Sequence, residues 1–158
     1  MLDTISMNNH WYLAQINVGR IAGVDMNDPI MKTFVDQLDE VNALAEGSKG
    51  FVWRLKDENN NATAFNPFND NRIIVNISVW ETFEDLQEYL FKGRHAEVLR
   101  NRKEWFVNFG KPYTAFWYVP AGHIPSVEEA IERLEFLQKN GPSAYVFDFK
   151  TRFPKPAA

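Results

Sequence analysis

Four segments of the chain are predicted as β-strands, three from residues that alternate between two faces with a period of two and the last from its many aromatic residues. They cover residues 11–18, 51–56, 73–80 and 114–119. The third is the clearest, because every second residue from 73 to 79 is Ile or Val. Its other side carries Ile74, Asn76, Ser78 and Trp80. In the second segment, the same alternation predicts Phe51, Trp53 and Leu55 on one face.

Helices are predicted after the first and third strands and again near the C-terminus. Asp28-Pro29 is an N-cap followed by proline at the first helical position, and Ser126 with Glu129 forms a capping box. Thr82 with Asp85 is a variant of that box. The first helix has an apolar stripe at helical spacing, formed by Ile30, Phe34, Leu38, Val41 and Leu44 or Ala45. A glycine near residue 93 separates two helical segments, of which the second is expected over about 95–108.

The element order is therefore β-α-β-β-α-β with an extra C-terminal helix, which predicts a ferredoxin-like α+β fold with helices on one face of an antiparallel sheet. We expect one domain over residues 10–150, with loose termini at 1–9 and 151–158. The other sheet face, expected to carry Trp11 and Leu13, also needs a cover. A second copy of the chain is the simplest cover, and the last helix is the alternative. Residues 57–71 form a long Asn-rich connection whose role stays open.

Composition narrows the function classes. Of 158 residues, 45% are hydrophobic and 15% aromatic, so the body of the chain is not disordered. A net charge of −4 argues against nucleic-acid binding, and the absence of cysteine excludes thiolate metal sites and cysteine nucleophiles. No apolar run is long enough to cross a membrane, and the polar N-terminus resembles no signal peptide, so we expect a cytoplasmic protein. The three histidines lack the spacing of a zinc site, and no phosphate-binding glycine motif occurs.

The third strand carries the first candidate site. Asn76, Ser78 and Trp80 share one face, where apolar residues would be expected if that face were only core. An amide, a hydroxyl and an indole together suit an aromatic or carbonyl-bearing small molecule. The alternative is a half-exposed seam between two subunits, in which these polar groups pair with each other.

A second candidate is the segment after Gly93. If it is one helix, His95, Leu99, Arg102, Phe106 and Phe109 fall on one stripe, so His95 and Arg102 would line a pocket. The alternative is that His95 bonds to backbone while Arg102 meets a carboxylate or reaches solvent. His123 lies just before the last helix, where capping or packing is the simpler role.

These motifs resemble the dimeric α+β barrel superfamily, which includes antibiotic-biosynthesis monooxygenases and haem-degrading oxygenases. Within the superfamily, the chain most resembles an uncharacterised bacterial domain family. This closer resemblance rests on Asn76-x3-Trp80, on His95-x3-Leu99-x2-Arg102-x2-Trp105-Phe106 and on Pro120-x2-His123. It implies a homodimer with a ligand cavity between sheet and helices. By analogy with cofactor-free monooxygenases, Asn76 and Trp80 would hold a phenol-type substrate, with His95 or Arg102 as the basic group.

The resulting expectation is a small-molecule-binding protein without a metal. It would be a cofactor-free monooxygenase, isomerase or cyclase with Asn76, Trp80, His95 and Arg102 as catalytic residues. The residues expected to contact substrate are Trp53, Ser78, Trp105, Phe106 and His123. The alternative is a module that binds haem or another hydrophobic ligand without catalysis.

Overall fold

A five-stranded antiparallel sheet forms the centre of the computed structural model, which describes residues 10–56 and 66–157. The strands are β1 (Trp11–Ile21), β2 (Phe51–Arg54), β3 (Ile73–Trp80), β4 (Phe106–Val107) and β5 (Thr114–Pro120). The sheet order is β2-β3-β1, and the free edge of β1 pairs with β5 along most of its length and with β4 at its end. This is the predicted ferredoxin-like arrangement. The N-terminal residues 1–9 and most of the Asn-rich connection lie outside the described residues.

Three of the helical segments begin where the capping signals predicted. The helices are α1 (Lys32–Val35), α2 (Leu38–Glu46), α3 (Phe83–Phe91), α4 (Gly93–Arg100) and α5 (Val127–Asn140). Asp28 accepts a hydrogen bond from Ile30 N in front of a 3₁₀ turn, Thr82 accepts from Asp85 N, and Ser126 accepts from Glu129 N. Each cap satisfies a backbone donor that has no partner inside its helix. No helix among the described residues is long and apolar enough to span a membrane.

One side of the sheet, called here the helical face, carries Leu13, Gln15 and Asn17 of β1. At one end of this face, α2 and α3 pack on an apolar cluster that includes Leu13 and Trp80. At the other end, a second cluster holds Ile21, Met31 and Trp105. The expectation that Leu13 lies on the uncovered face was wrong, because the helices after β1 and β3 pack on its side.

The opposite face carries Ala14, Ile16 and Val18, and α5 covers it. Ala130, Leu134 and Leu137 of α5 are buried against these strand residues in one cluster. Of the two covers considered for the second sheet face, the structure contains the last helix.

Two local predictions need correction. The expected continuous helix from residue 28 is interrupted, and Ile30 and Leu44 are exposed while Met31 and Ala45 are buried. A break at residues 36–37 changes the phase between the two helical pieces, so a single stripe does not describe both. The segment 95–108 is also not one helix. The α4 helix ends at Arg100, a 3₁₀ turn follows at Arg102–Glu104, and Phe106 pairs with β1.

The segment after α5 returns to the helical face. Phe147 exchanges backbone hydrogen bonds with Phe116 of β5, and its ring joins the Leu13 cluster. Further along, Tyr118 donates a hydrogen bond to Phe153 O, and Arg152 pairs with Glu84. Residues 152 and 153, expected to belong to a loose terminus, therefore make specific contacts with β5 and α3.

Candidate functional site

Buried polar residues form a row across the helical face. The three polar side chains that are almost fully buried in the described chain are Gln15, Arg54 and Ser78, with exposed fractions of 8%, 6% and 6%. In the sheet register, Gln15 of β1 and Arg54 of β2 both lie opposite Ser78 of β3. The three therefore occupy adjacent strands at one level of the sheet. Burying polar groups is unfavourable unless they are hydrogen-bonded, so this row calls for an explanation.

Hydrogen bonds link the row to its neighbours on β3. Ser78 Oγ accepts from Trp80 Nε1 at 2.9 Å and from Gln15 Nε2 at 2.8 Å. Gln15 Nε2 also donates to Asn76 Oδ1 at 3.2 Å. Trp80 is 1% exposed, so its indole N–H would have no solvent partner if Ser78 were absent. The hydrogen-bonding part of the alternative interpretation is present, because Trp80 bonds to Ser78 and Gln15 links Ser78 to Asn76, but Ser78 and Trp80 are buried rather than half exposed.

The row nevertheless leads to an opening. Asn76 lies on β3, which has β1 on one side and β2 on the other. Helices cover both ends of the helical face, but Asn76 is exposed. Directly opposite Asn76, Asn17 donates through Nδ2 to Thr114 Oγ1 at 2.8 Å. The helices thus leave polar side chains accessible between the Leu13 cluster and the Trp105 cluster. We call this gap the Asn76 opening.

Aromatic rings form one wall beside the row. The Tyr89 ring stacks on Trp80 with centroids 5.3 Å apart, and His95 packs on Tyr89 at 4.8 Å. Burial raises the pKa of the Tyr89 hydroxyl, while the nearby Arg54 charge opposes that shift. Tyr89 is therefore a neutral hydrogen-bond donor, and its hydroxyl donates to Val41 O at 3.0 Å.

His95 is held as a neutral imidazole. Its Nδ1 lies 3.3 Å from Leu90 O, and a carbonyl oxygen can only accept, so Nδ1 carries the proton. Burial lowers the pKa of His95, partly opposed by this hydrogen bond. Neutral His95 with its proton on Nδ1 leaves Nε2 as a base. The backbone contact is the one expected under the simpler interpretation, and a pocket-lining role for His95 stays a prediction.

The α4 helix connects the two ends of the helical face. It begins directly after α3, at Gly93, whose φ of 70° favours glycine. None of the described side chains of α4 is buried. His95 near its start contacts Tyr89, whereas Val98 near its end packs on the Trp105 cluster. Because the Asn76 opening lies between these clusters, α4 runs past it with few apolar contacts.

Arg102 lies towards the Asn17 side of the helical face, whereas His95 packs on Tyr89. Its guanidinium stacks on Phe106 and Tyr113, at 4.7 Å from each ring centroid. Phe106 contacts the backbone of β1 at Gly19, where a Cβ atom would clash with the ring. Tyr113 directly precedes Thr114, the partner of Asn17. No ion pair joins Arg102 to a carboxylate of residues 10–56 or 66–157, and its half-buried guanidinium lies against the two rings.

The remaining predicted residues are dispersed. Trp105 is buried in its own cluster and donates from Nε1 to Thr33 Oγ1 at 2.8 Å. Trp53 packs with the opposite-face cluster under α5, so the sheet separates it from Asn76. His123 lies beside α5, where its Nε2 is 2.7 Å from Glu129 Oε1. The structure therefore does not bring Trp53 or His123 to the Asn76 opening.

Arg54 is the site residue that sequence reasoning missed. The alternation placed Phe51, Trp53 and Leu55 together and Arg54 on the other side. A bulge between Phe51 and Trp53 shifts the register, so Phe51 joins Trp80 while Trp53 and Leu55 pack under α5. Arg54 then points to the helical face, where Glu46 lies 3.5 Å from its guanidinium.

Two surface grooves lie elsewhere. One of about 890 Å³ runs along α5 between Val127 and Asn140, and one of about 530 Å³ lies near His123 and Tyr145. The larger groove is lined mainly by exposed residues of α5, many of them charged, and includes none of the buried polar row. We therefore assign the candidate site by its chemistry rather than by concavity. A pocket for a small molecule is expected to combine apolar walls with a few convergent polar groups.

The described residues contain no cluster of metal-ligating side chains. No group of three potential ligand side chains occurs among residues 10–56 and 66–157. A haem on the helical face would use His95 Nε2 as its ligand, and Tyr89 already packs on that ring with centroids 4.8 Å apart.

The fold and the buried row define an α+β protein of ferredoxin-like topology with a polar site under its helices. Residues 12–158 match the family described as Domain of unknown function (DUF3291), and the chain belongs to that family. No curated protein matches it in sequence.

Solved structures share the fold at low sequence identity. A conserved protein from Methanosarcina mazei Go1 is 7% identical with a TM-score of 0.51, and the match covers 72% of this chain and 96% of that one. SnoaB, a cofactor-independent oxygenase from Streptomyces nogalater, is 13% identical with a TM-score of 0.44, covering 72% and 95%. Rv0793 from Mycobacterium tuberculosis is 9% identical with a TM-score of 0.46, covering 73% and 98%. At 7% identity, the match to the Methanosarcina mazei protein shows a shared fold and nothing about function.

Proposed function

We propose that this protein binds a small aromatic or carbonyl compound at the Asn76 opening and acts on it without a metal. The observation that carries the proposal is the buried hydrogen-bond network of Gln15, Ser78 and Trp80, which ends at the exposed amide of Asn76. A sheet face used only as core would be more stable with apolar side chains at these positions. Retaining them is consistent with the recognition of a polar group on a ligand.

The proposed chemistry is formation of an enolate or phenolate. Asn76 would hold the substrate oxygen, and Trp80 with Tyr89 would form the apolar wall behind it. His95 is neutral, and its Nε2 would accept the proton that the substrate loses. Arg102, fixed between two rings on the Asn17 side, would favour the negative charge that develops. Isomerisation, cyclisation or reaction with O₂ would start from that anion.

The test compares Asn76→Ala with Asn140→Ala, a matched change at the exposed end of α5. Binding of 1-indanone, a bicyclic aryl ketone, is measured by isothermal titration calorimetry. We expect the Asn76 variant to bind about fivefold more weakly, the factor corresponding to one lost hydrogen bond, while Asn140→Ala binds as the wild type. Equal affinity in the three proteins, or no binding to the wild type, would overturn the proposal.

A second candidate function is ligand binding without turnover. It is favoured by the contact of His95 with the Leu90 carbonyl, which also suits a purely structural histidine. Substrate screening separates the two candidates, because a binding module shows affinity without product for compounds with an acidic C–H or a phenol group. Under this candidate, His95→Gln would leave binding unchanged.

We also propose self-association, as the resemblance implies. Because α5 already packs on Ala14, Ile16 and Val18, a homodimer formed through that face of the sheet would have to include α5 at its interface or displace it. Native mass spectrometry gives the number of chains and any bound mass in one measurement. A bare monomer would remove the homodimer from the proposal.

A further inference from the structure

The amide of Asn76 has a defined orientation. Its Oδ1 accepts from Gln15 Nε2 at 3.2 Å, and no described residue bonds to its Nδ2. Because Asn76 is exposed, this leaves the NH₂ group as the end that a ligand can reach. The Asn76 opening thus presents a hydrogen-bond donor.

Hydrogen bonds within the network orient the Asn76 amide. An indole N–H can only donate, so Ser78 Oγ accepts from Trp80. Gln15 Nε2 donates to the same Ser78 Oγ and to Asn76 Oδ1, so the NH₂ group of Gln15 faces both residues. With Gln15 in this orientation, a rotated Asn76 amide would set its NH₂ against the NH₂ of Gln15 and lose the hydrogen bond. The orientation of the Asn76 amide therefore depends on that of Gln15.

We propose that Gln15 is a positioning residue that fixes the Asn76 NH₂ outwards, so that the site selects ligands with an acceptor oxygen over ligands with a donor N–H. The inference rests on the proposed function only in assuming that ligands enter at Asn76. It adds the ligand class: ketones, enolates and phenolates in preference to amines and N–H heterocycles. Gln15 acts through Asn76 and does not itself need to contact the ligand.

The experiment uses two bicyclic probes of similar size. 1-Indanone offers a carbonyl acceptor, whereas indole offers only an N–H donor. For the wild type, we expect 1-indanone to bind about fivefold more tightly than indole, the factor of one neutral hydrogen bond. The measured quantity is the ratio of the two dissociation constants, which a loss of general packing does not invert.

Gln15→Glu reverses the sense of the network. At pH 8 a carboxylate at this position can only accept, so Asn76 would turn its Nδ2 inwards and present Oδ1 to the ligand. Ser78 can still accept from Trp80 while donating its own hydrogen to the carboxylate. We expect the preference to change from 1-indanone to indole. Gln87→Glu, on the exposed side of α3, is the matched control and should keep the wild-type ratio.

A second variant keeps the inference testable if the buried carboxylate prevents folding. Gln15→Met removes both hydrogen bonds at similar volume, so the Asn76 amide can rotate and the ratio should approach one while indole affinity is retained. If a folded Gln15 variant keeps the wild-type ratio of the 1-indanone and indole dissociation constants, the inference is overturned. This holds even when Asn76→Ala weakens 1-indanone binding and so supports the proposed function. If Asn76→Ala has no effect, the proposed function itself fails, and this result is separate.

Discussion

The hydrogen bond between Ser78 and the Trp80 indole should make a measurable contribution to stability. Ser78→Ala removes the acceptor of two N–H groups, one on the almost fully buried Trp80 and one on Gln15. Gln15 keeps its bond to Asn76, but the indole N–H is left without a partner. At about 1 kcal/mol for each hydrogen bond, the free energy of unfolding should fall by about 2 kcal/mol.

Urea unfolding followed by tryptophan fluorescence measures this change. With a typical dependence on urea, the midpoint should shift down by about 1 M at an unchanged slope. Ser78→Thr keeps the hydroxyl and should retain most of the stability. Ser48→Ala removes a hydroxyl that donates to Leu44 O on the surface, and should change stability by less than about 0.5 kcal/mol.

A Trp80→Phe background isolates the indole contribution. In that background, Ser78→Ala loses only the bond from Gln15, so its cost should fall to about 1 kcal/mol. An equal cost in both backgrounds would refute the assignment of the indole donor. A Ser78→Ala effect no larger than that of Ser48→Ala would refute the whole network.

Three further predictions concern the parts of the fold that frame the site. Burial lowers the pKa of His95, so the unfolded chain takes up a proton near pH 6.5 before the folded chain does. The free energy of unfolding should therefore fall between pH 7 and 5, and it should fall less steeply in His95→Gln than in the wild type, as measured by urea unfolding. Gly93→Ala should cost about 1 kcal/mol from backbone strain alone, and Gly50→Ala about 3 kcal/mol because its Cβ would also collide with the Asp85 carboxylate, both measured by urea unfolding. Leu134→Ala should cost about 3 kcal/mol if α5 covers the sheet, and the same unfolding experiment tests it.

Each of these predictions has a control and a contradicting result. Gln87→Asn, an exposed change that alters no titratable group, should leave the pH dependence unchanged, and a His95→Gln profile identical to that of the wild type would mean that His95 is solvated. Equal losses at Gly50 and Gly93 would contradict the close approach of Asp85. Phe136→Ala, on the outer side of α5, should cost less than about 1 kcal/mol, and a small effect at Leu134 as well would mean that α5 does not pack on the sheet.

The strand order and the helix starts were predictable because local signals set them. Strict alternation over 73–80 assigned each β3 residue to its face, and the caps at Asp28, Thr82 and Ser126 began helical segments as expected. These signals depend on neighbouring residues only. They do not depend on what packs above them.

Long-range packing determined what the sequence could not predict. The bulge in β2 puts Phe51 on the same face as Arg54 instead of the face of Trp53, and no glycine or proline within residues 51–54 signals it. Pairing with β1 took Phe106 out of the expected helix, which removed the common stripe of His95 and Arg102. The link from Gln15 to Asn76 spans 61 positions and depends on strand register, so it was not visible along the chain.

The central claim is that ligands enter at the Asn76 opening, and side-chain NMR tests it most directly. Protein labelled with ¹⁵N is titrated with 1-indanone, and the side-chain amide signals and indole signals are assigned from Asn76→Ala, Gln15→Met and Trp80→Phe. The account predicts that the Asn76 NH₂ and the Trp80 indole N–H shift together with one dissociation constant. Shifts confined to the groove near His123, with the Asn76 and Trp80 signals unmoved, would contradict it.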